Sequence, residues 1–271
     1  MAVLDVDRKV WDAALDAALP DVPDVLILEG TWWRADATRS RLSRLREVTE
    51  LPFPDMHVGR HGDAVVAYCC AYGAARAVEP AHVFAQCGTP LVIQIGTCGV
   101  LVPGIAPGDV AVPLAAVARD GVSHHYGAGP EVSFDAGWRA RAAEILRDGG
   151  AQVHETRHLT WPSLFAQSDA MCAGWAAEGL QTVDMEAAAV AAVAARFGAA
   201  CITLLATWDQ LDEGRTFLDP LSEEAADALR RANVATYETG LRLATEVAGR
   251  RQNRASMGTC PGDGRDKGRI Q

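Results

Sequence analysis

The chain has 271 residues, 49% of them hydrophobic, and a formal net charge of −10. That is enough apolar material for one sizeable core, and an acidic surface argues against nucleic acid or an anionic membrane as partner. No basic and apolar leader opens the chain, Gly and Pro interrupt every apolar run short of the roughly 20 residues of a membrane span, and the seven cysteines follow no disulfide or metal spacing, so a soluble cytoplasmic protein is expected.

Taken in order, residues 5–19 carry Val6, Val10, Trp11, Ala14, Leu15 and Ala18 at helical spacing, and Pro20 closes the run. A buried strand over 24–28 stops at Glu29-Gly30. Arginine and leucine alternate in a helical pattern over 38–48, with the arginines read as a solvated face, until Pro52 and Pro54 break it. Gly59 to Gly62 marks a hairpin turn before a strand at 64–70. A helix at 74–87 must place Pro80 near its first turn or kink there. Apolar strands follow at 91–95 and 109–118, then an amphipathic helix at 135–148 with Asp135 as N-cap and Gly149 as stop. Residues 152–180 show no clear period. An alanine-rich helix runs from about Asp184 to Phe197, and a strand at 201–207 delivers Trp208-Asp209 at its C-terminal end. A last helix covers about 221–248. From Gly249 the polar, Gly-rich tail lacks periodicity and is expected to be disordered. The alternation of strands and helices points to a mainly parallel or mixed sheet flanked by helices, one domain over 1–248.

Three motifs stand together. Gln94-Ile95-Gly96-Thr97-Cys98-Gly99 ends the first organising strand; Gly108-Asp109-Val110-Ala111 opens the second; Asp120-Gly121-Val122-Ser123-His124-His125-Tyr126 follows it. With Val183-Asp184-Met185-Glu186 and Trp208-Asp209, this set resembles the nucleoside phosphorylase superfamily, which holds purine nucleoside phosphorylases, uridine phosphorylases and methylthioadenosine nucleosidases. The resemblance spans about residues 24–248 and implies a three-layer α/β/α fold around a central mixed, barrel-like sheet.

It also implies roles. Asp209 would protonate the departing base, which needs a carboxyl that keeps its proton near neutral pH through burial; its position alone also suits a turn or N-cap aspartate. Glu186 would grip the ribose diol, with Met185 packed under the sugar and Tyr72 beside it. The base would meet Phe165, or Trp161 a few residues earlier, together with Asp184, Trp208 and Asp209. Gly30, Arg34, Gly96 and Thr97 match positions that orient phosphate. Gln94 stands where phosphorylases have their main arginine, and no arginine falls at the position near Leu51 that a neighbouring subunit would lend. The early glutamate that hydrolytic relatives use to activate water falls near Ala35-Asp36, where no glutamate stands.

The expectation is therefore cleavage of the N-glycosidic bond of a purine-type nucleoside. Phosphorolysis is favoured because Gly30, Arg34 and Thr97 persist, with hydrolysis as the alternative and a non-catalytic nucleoside-binding protein as the rival from another class. No metal or cofactor is expected; inorganic phosphate would be a co-substrate. The histidines at 124, 125, 154 and 158 lack metal-ligand partners in the sequence. The resemblance and the aromatic segments Trp32-Trp33 and Trp161 to Trp175 suggest a homodimer or a trimer of dimers.

Overall fold

The computed structural model describes residues 8–14, 21–53 and 55–257. In chain order its elements are α1 (Arg8–Ala14), β1 (Val25–Gly30), α2 (Arg34–Leu42), β2 (Arg46–Glu50), β3 (Met56–His61), β4 (Ala64–Cys70), α3 (Ala74–Gln86) and β5 (Leu91–Val100). There follow β6 (Val110–Ala118), β7 (Glu131–Ser133), α4 (Ala136–Asp148), β8 (Val153–Thr160), α5 (Asp169–Ala177), β9 (Thr182–Asp184), α6 (Ala187–Arg196), β10 (Ala200–Gln210) and α7 (Glu223–Met257).

The strands form one sheet in the order β10-β6-β8-β9-β5-β1-β4-β3-β2, with β7 on the edge of β6. Because β10 also pairs with β5, the strands β10, β6, β8, β9 and β5 close into a barrel, and the remaining strands fan out from it. The residues of β1 and β4 are buried throughout, as continuous apolar runs must be when helices cover both faces of a parallel sheet. On one face Leu26, Leu28 and Val92 pack against α3 and the alanine-rich α6. On the other, Ile27, Ile93 and Ile95 meet α4 and α7. This is the three-layer arrangement around a mixed barrel.

The partners of β5 change along its length, and that change creates the cleft. Over residues 91–96 it lies parallel between β1 and β10. Past Gly96, β1 has ended, and β9 pairs with β5 at Gly99 and Val100 instead. The ends of β1 and β9 thus diverge over the second half of β5. Such a divergence beyond the carboxyl ends of parallel strands is where open α/β sheets hold ligands.

Several expectations change. β5 runs on through the Gly96-Thr97-Cys98-Gly99 motif instead of ending at Ile95, because β9 and β10 continue to pair with it. The helix expected over 38–48 is α2 from Arg34 to Leu42, and Arg46–Glu50 is an edge strand held by β3. Gly59 lies within β3, and the hairpin turns at Gly62 and Asp63. Pro80 sits in the body of α3, not its first turn. Asp135 caps α4 by accepting the Trp138 N–H at 2.8 Å and the helix stops at Gly149 as expected, with the left-handed conformation falling one residue later at Gly150, φ 83°. The segment without a period holds β8 and α5. Trp161 and Trp175 pack on each other there, 5.3 Å between ring centroids, inside a small core with Leu159 and Leu180. α7 continues past Gly249 to Met257, so the expected disorder does not begin where composition changes; residues 258–271 lie outside the described residues, as do 5–7 and 15–19 of the first expected helix. Among the described residues no helix is long and apolar enough to cross a membrane.

Arg41 is the largest departure from the solvated-face expectation. It is buried and forms a two-pronged pair with Glu29, both N···O distances 2.9 Å, and Tyr68 donates to the same carboxylate at 2.9 Å. Arg41 also reaches the Asn233 side chain on α7, and the Tyr237 hydroxyl donates to the Arg41 carbonyl. The pair ties β1, α2 and α7 together directly behind Gly30.

Candidate active site

The cleft is walled by the ends of four strands. β1 supplies Gly30 and the following Thr31, Trp32 and Trp33; β5 supplies Thr97, Cys98 and Gly99; β9 and the turn after it supply Val183, Asp184, Met185 and Glu186; β10 supplies Trp208 and Asp209. Tyr72, Leu164, Gln167 and Phe217 complete it from loops. Gly30 and Gly96 pair across β1 and β5, and a Cβ on Gly96 would lie 2.8 Å from the Gly30 carbonyl oxygen. Glycine is required there because two backbones approach too closely for a side chain.

Glu186 is held at the inner end of the cleft. Its carboxylate accepts the backbone N–H of Gly73, a residue at φ 86° that opens α3, and it lies 3.0 Å from where a Gly30 Cβ would stand. Burial pushes its pKa up, and the neighbouring Asp184 charge pushes the same way. Asp209 is likewise raised by burial, to about 6, opposed in part by a hydrogen bond from the Phe217 backbone. Two carboxyl groups that keep their protons well above the ordinary carboxylate range therefore share one cleft.

Asp209 reaches the cleft through a bulge. Thr207 of β10 faces Cys98 and Gln210 faces Val100, so β10 spans with one extra residue, at Trp208-Asp209. Consecutive strand residues ordinarily point to opposite faces; the bulge lets both of these line the same wall.

Of the residues expected at a site, Gly30, Tyr72, Thr97, Asp184, Met185, Glu186, Trp208 and Asp209 are brought together here. Four others are not placed as expected, and Asp184, though in the wall, is not disposed as expected. Gly96 lies beneath Gly30 and does not line the cleft. Arg34 turns outward onto Asp55, at 2.5 Å, with its side chain 60% exposed. Gln94 is buried behind the wall, and its amide donates to Asp184 at 3.3 Å. Phe165 is 82% exposed on the rim, 5.9 Å from the Trp32 ring, while its neighbour Leu164 lines the cleft. Asp184 has both oxygens engaged by protein: one accepts from Thr160 at 2.9 Å with His158 Nε2 3.0 Å away, the other from the first free amide of α6, Ala187, at 2.9 Å. Its carboxylate anchors the Met185-Glu186 turn, a different task from contacting a base.

Sequence reasoning did not single out Trp32 and Trp33 as cleft residues, nor Phe217. Trp32 meets Phe217 edge-to-face at 4.9 Å, and Trp33 stacks on Trp208 at 5.4 Å with 26° between planes. Their position directly after Gly30 was the available signal. Cys98, inside the wall, is pushed well up by burial and stays a thiol. Among the described residues no cluster of His, Cys, Asp and Glu is disposed to hold a metal.

The sequence and the fold are similar to those of known proteins. The family model described as the phosphorylase superfamily matches residues 25–243. A DeoD-type purine nucleoside phosphorylase of Alkaliphilus metalliredigens is 27% identical over 129 residues, 47% of this chain and 55% of its own length, so the match spans about half of that relative. The fold resembles a uridine phosphorylase from Vibrio fischeri ES114, with TM-score 0.72 and 18% identity over 90% of this chain and 96% of the other. It also resembles a 5'-methylthioadenosine/S-adenosyl homocysteine nucleosidase from Campylobacter jejuni, with TM-score 0.67 and 15% identity over 81% and 98%. At such identities these likenesses establish the fold.

Proposed function

Because the chain belongs to the phosphorylase superfamily, we propose that it cleaves the N-glycosidic bond of a purine-type nucleoside and that water, not phosphate, takes up the sugar. One observation carries the choice of acceptor: among the described residues no arginine, lysine or histidine lines the cleft, whereas Asp184, Glu186 and Asp209 do. A phosphate dianion needs charge-assisted donors. Arg34 is engaged by Asp55 outside the cleft, and Gln94 is neutral and engaged by Asp184.

In this account the Glu186 carboxyl accepts hydrogen bonds from the ribose hydroxyls, with Met185 packed under the sugar. The C1′–N9 bond breaks with its electron pair passing to the base, Asp209 gives its proton to N7, and the oxygen of water bonds to C1′ while its proton returns to solvent. A carboxyl raised to about 6 is a stronger fit to that acid role than an ordinary surface aspartate. Phosphorolysis is the second reading, supported by Gly30 and Thr97 in the same wall; it requires an arginine from another copy of the chain. Assembly into a homodimer or a trimer of dimers belongs to the proposal, since Trp32 and Trp33 at the mouth are 43% and 53% exposed. Light scattering at micromolar concentration tests it, and a monomer contradicts it.

The test of the reaction is base release from a purine nucleoside, with phosphate first omitted and then titrated, and the sugar product identified. Release of free ribose at a rate independent of phosphate is expected. Phosphate-dependent release of ribose-1-phosphate would establish the second reading, and tight binding without release would make the protein a nucleoside binder.

A further inference from the structure

Two side chains that line the cleft each carry a buried polar atom without a partner among the described residues. Trp208 Nε1 and Asp209 Oδ1 are both shielded from solvent and hydrogen-bonded to no atom of the described residues. They belong to consecutive residues that the β10 bulge turns onto one wall. An indole N–H can only donate. The Asp209 carboxyl, raised by burial to about 6, is a donor whenever it holds its proton. Buried polar groups left unpaired in a protein call for an explanation, and a ligand that completes them is one.

Two donors on consecutive residues of one wall suit a ligand edge that carries two acceptors. The outer edge of a 6-oxopurine presents N7 and O6, both acceptors, whereas a 6-aminopurine presents N7 as acceptor and the N6 amino group as donor. We propose that Trp208 determines the substrate class: its indole N–H binds O6 while Asp209 addresses N7, so that the cleft selects 6-oxopurine nucleosides over 6-amino ones. The inference rests on the nucleoside reading above and deepens it. With a 6-amino base the indole N–H would face another donor and stay unpaired. Discrimination of this kind is large because the penalty falls on the wrong substrate. The ring environment is compatible: Trp208 already stacks on Trp33 and meets Phe217 edge-to-face at 6.4 Å, so the indole is held in place by its neighbours.

The experiment compares kcat/KM for inosine and adenosine in the wild type and in Trp208→Phe, which keeps a ring against Trp33 and deletes the N–H. The wild type is expected to favour inosine by about 100-fold or more, and the variant to lose about 10- to 100-fold of that preference. A wild type that cleaves adenosine as well as inosine, or a variant that keeps the full preference, overturns the proposal. Equilibrium binding of free hypoxanthine and free adenine to the wild type provides a second readout that needs neither turnover nor a folded variant. If no nucleoside is cleaved but hypoxanthine binds more tightly than adenine, the catalytic reading fails and the selectivity stands. Equal binding of the two bases, or binding of neither, overturns the selectivity itself.

Discussion

Replacing Asp209 by Asn separates the proposed acid role of this carboxyl from its effect on stability, and the two expected effects have opposite signs. Burial raises the carboxyl from its ordinary 3.8 to about 6. In the window between those values the folded protein holds a proton that the unfolded chain has released, so stability falls as pH rises across it and is flat above. The rise is worth about 3 kcal/mol at about 1.4 kcal/mol for each pH unit, an upper figure for a partly buried group. The side-chain amide of the variant keeps the shape without the charge. Asp209→Asn is therefore expected to be more stable than the wild type at pH 8 by up to about 3 kcal/mol, with the difference vanishing as the pH falls toward 4. Its turnover of a purine nucleoside should fall by about 10²–10⁴-fold, because it has no proton to deliver. Urea denaturation at pH 4, 5, 6 and 8, paired with base-release rates, measures both. Equal stabilities of the two proteins at every pH would refute the buried acid, and full activity in the variant would refute its role.

Gly30→Ala is expected to lower kcat by about 100-fold while leaving stability within about 1 kcal/mol, because the new methyl would stand 3.0 Å from the Glu186 carboxyl and displace it; steady-state kinetics with a thermal melt shows whether activity falls alone. Asp184→Ala strands the Thr160 hydroxyl and the Ala187 amide, and is expected to cost about 1–3 kcal/mol in chemical denaturation together with activity, since the Glu186 turn loses its anchor. Arg41→Met leaves the buried Glu29 carboxylate without its partner and is expected to cost about 3–5 kcal/mol, read from the urea midpoint.

Much of this fold is legible in the sequence because its signals are local. The continuous apolar runs of β1, β4 and β5 mark strands covered on both faces, and Asp135 before an amphipathic stretch marks the start of α4. The motif glycines and the Val183 to Glu186 turn likewise lead to the cleft. What escapes a reading along the chain depends on partners distant in sequence. Arg41 looks like one of several surface arginines until Glu29, Tyr68 and Asn233 close around it. Strand β2 has five exposed residues and no apolar period, and it exists because β3 pairs with it. At the site, Arg34 and Gln94 occupy expected positions in the chain, but Asp55 and Asp184, 21 and 90 residues away, decide where their side chains point. The bulge that turns Trp208 and Asp209 onto one wall is a mismatch between two strands, and neither strand alone encodes it.

A cleft with three carboxyl-bearing residues and no cationic side chain among those lining it is proposed to transfer the sugar of a purine nucleoside to water. The most direct measurement is the fate of isotopic oxygen. A single turnover of a purine nucleoside is run in H₂¹⁸O with millimolar unlabelled phosphate present, and the sugar is analysed by mass spectrometry. Free ribose carrying one ¹⁸O at C1, and no sugar phosphate, is expected. Unlabelled ribose-1-phosphate as the product would contradict it.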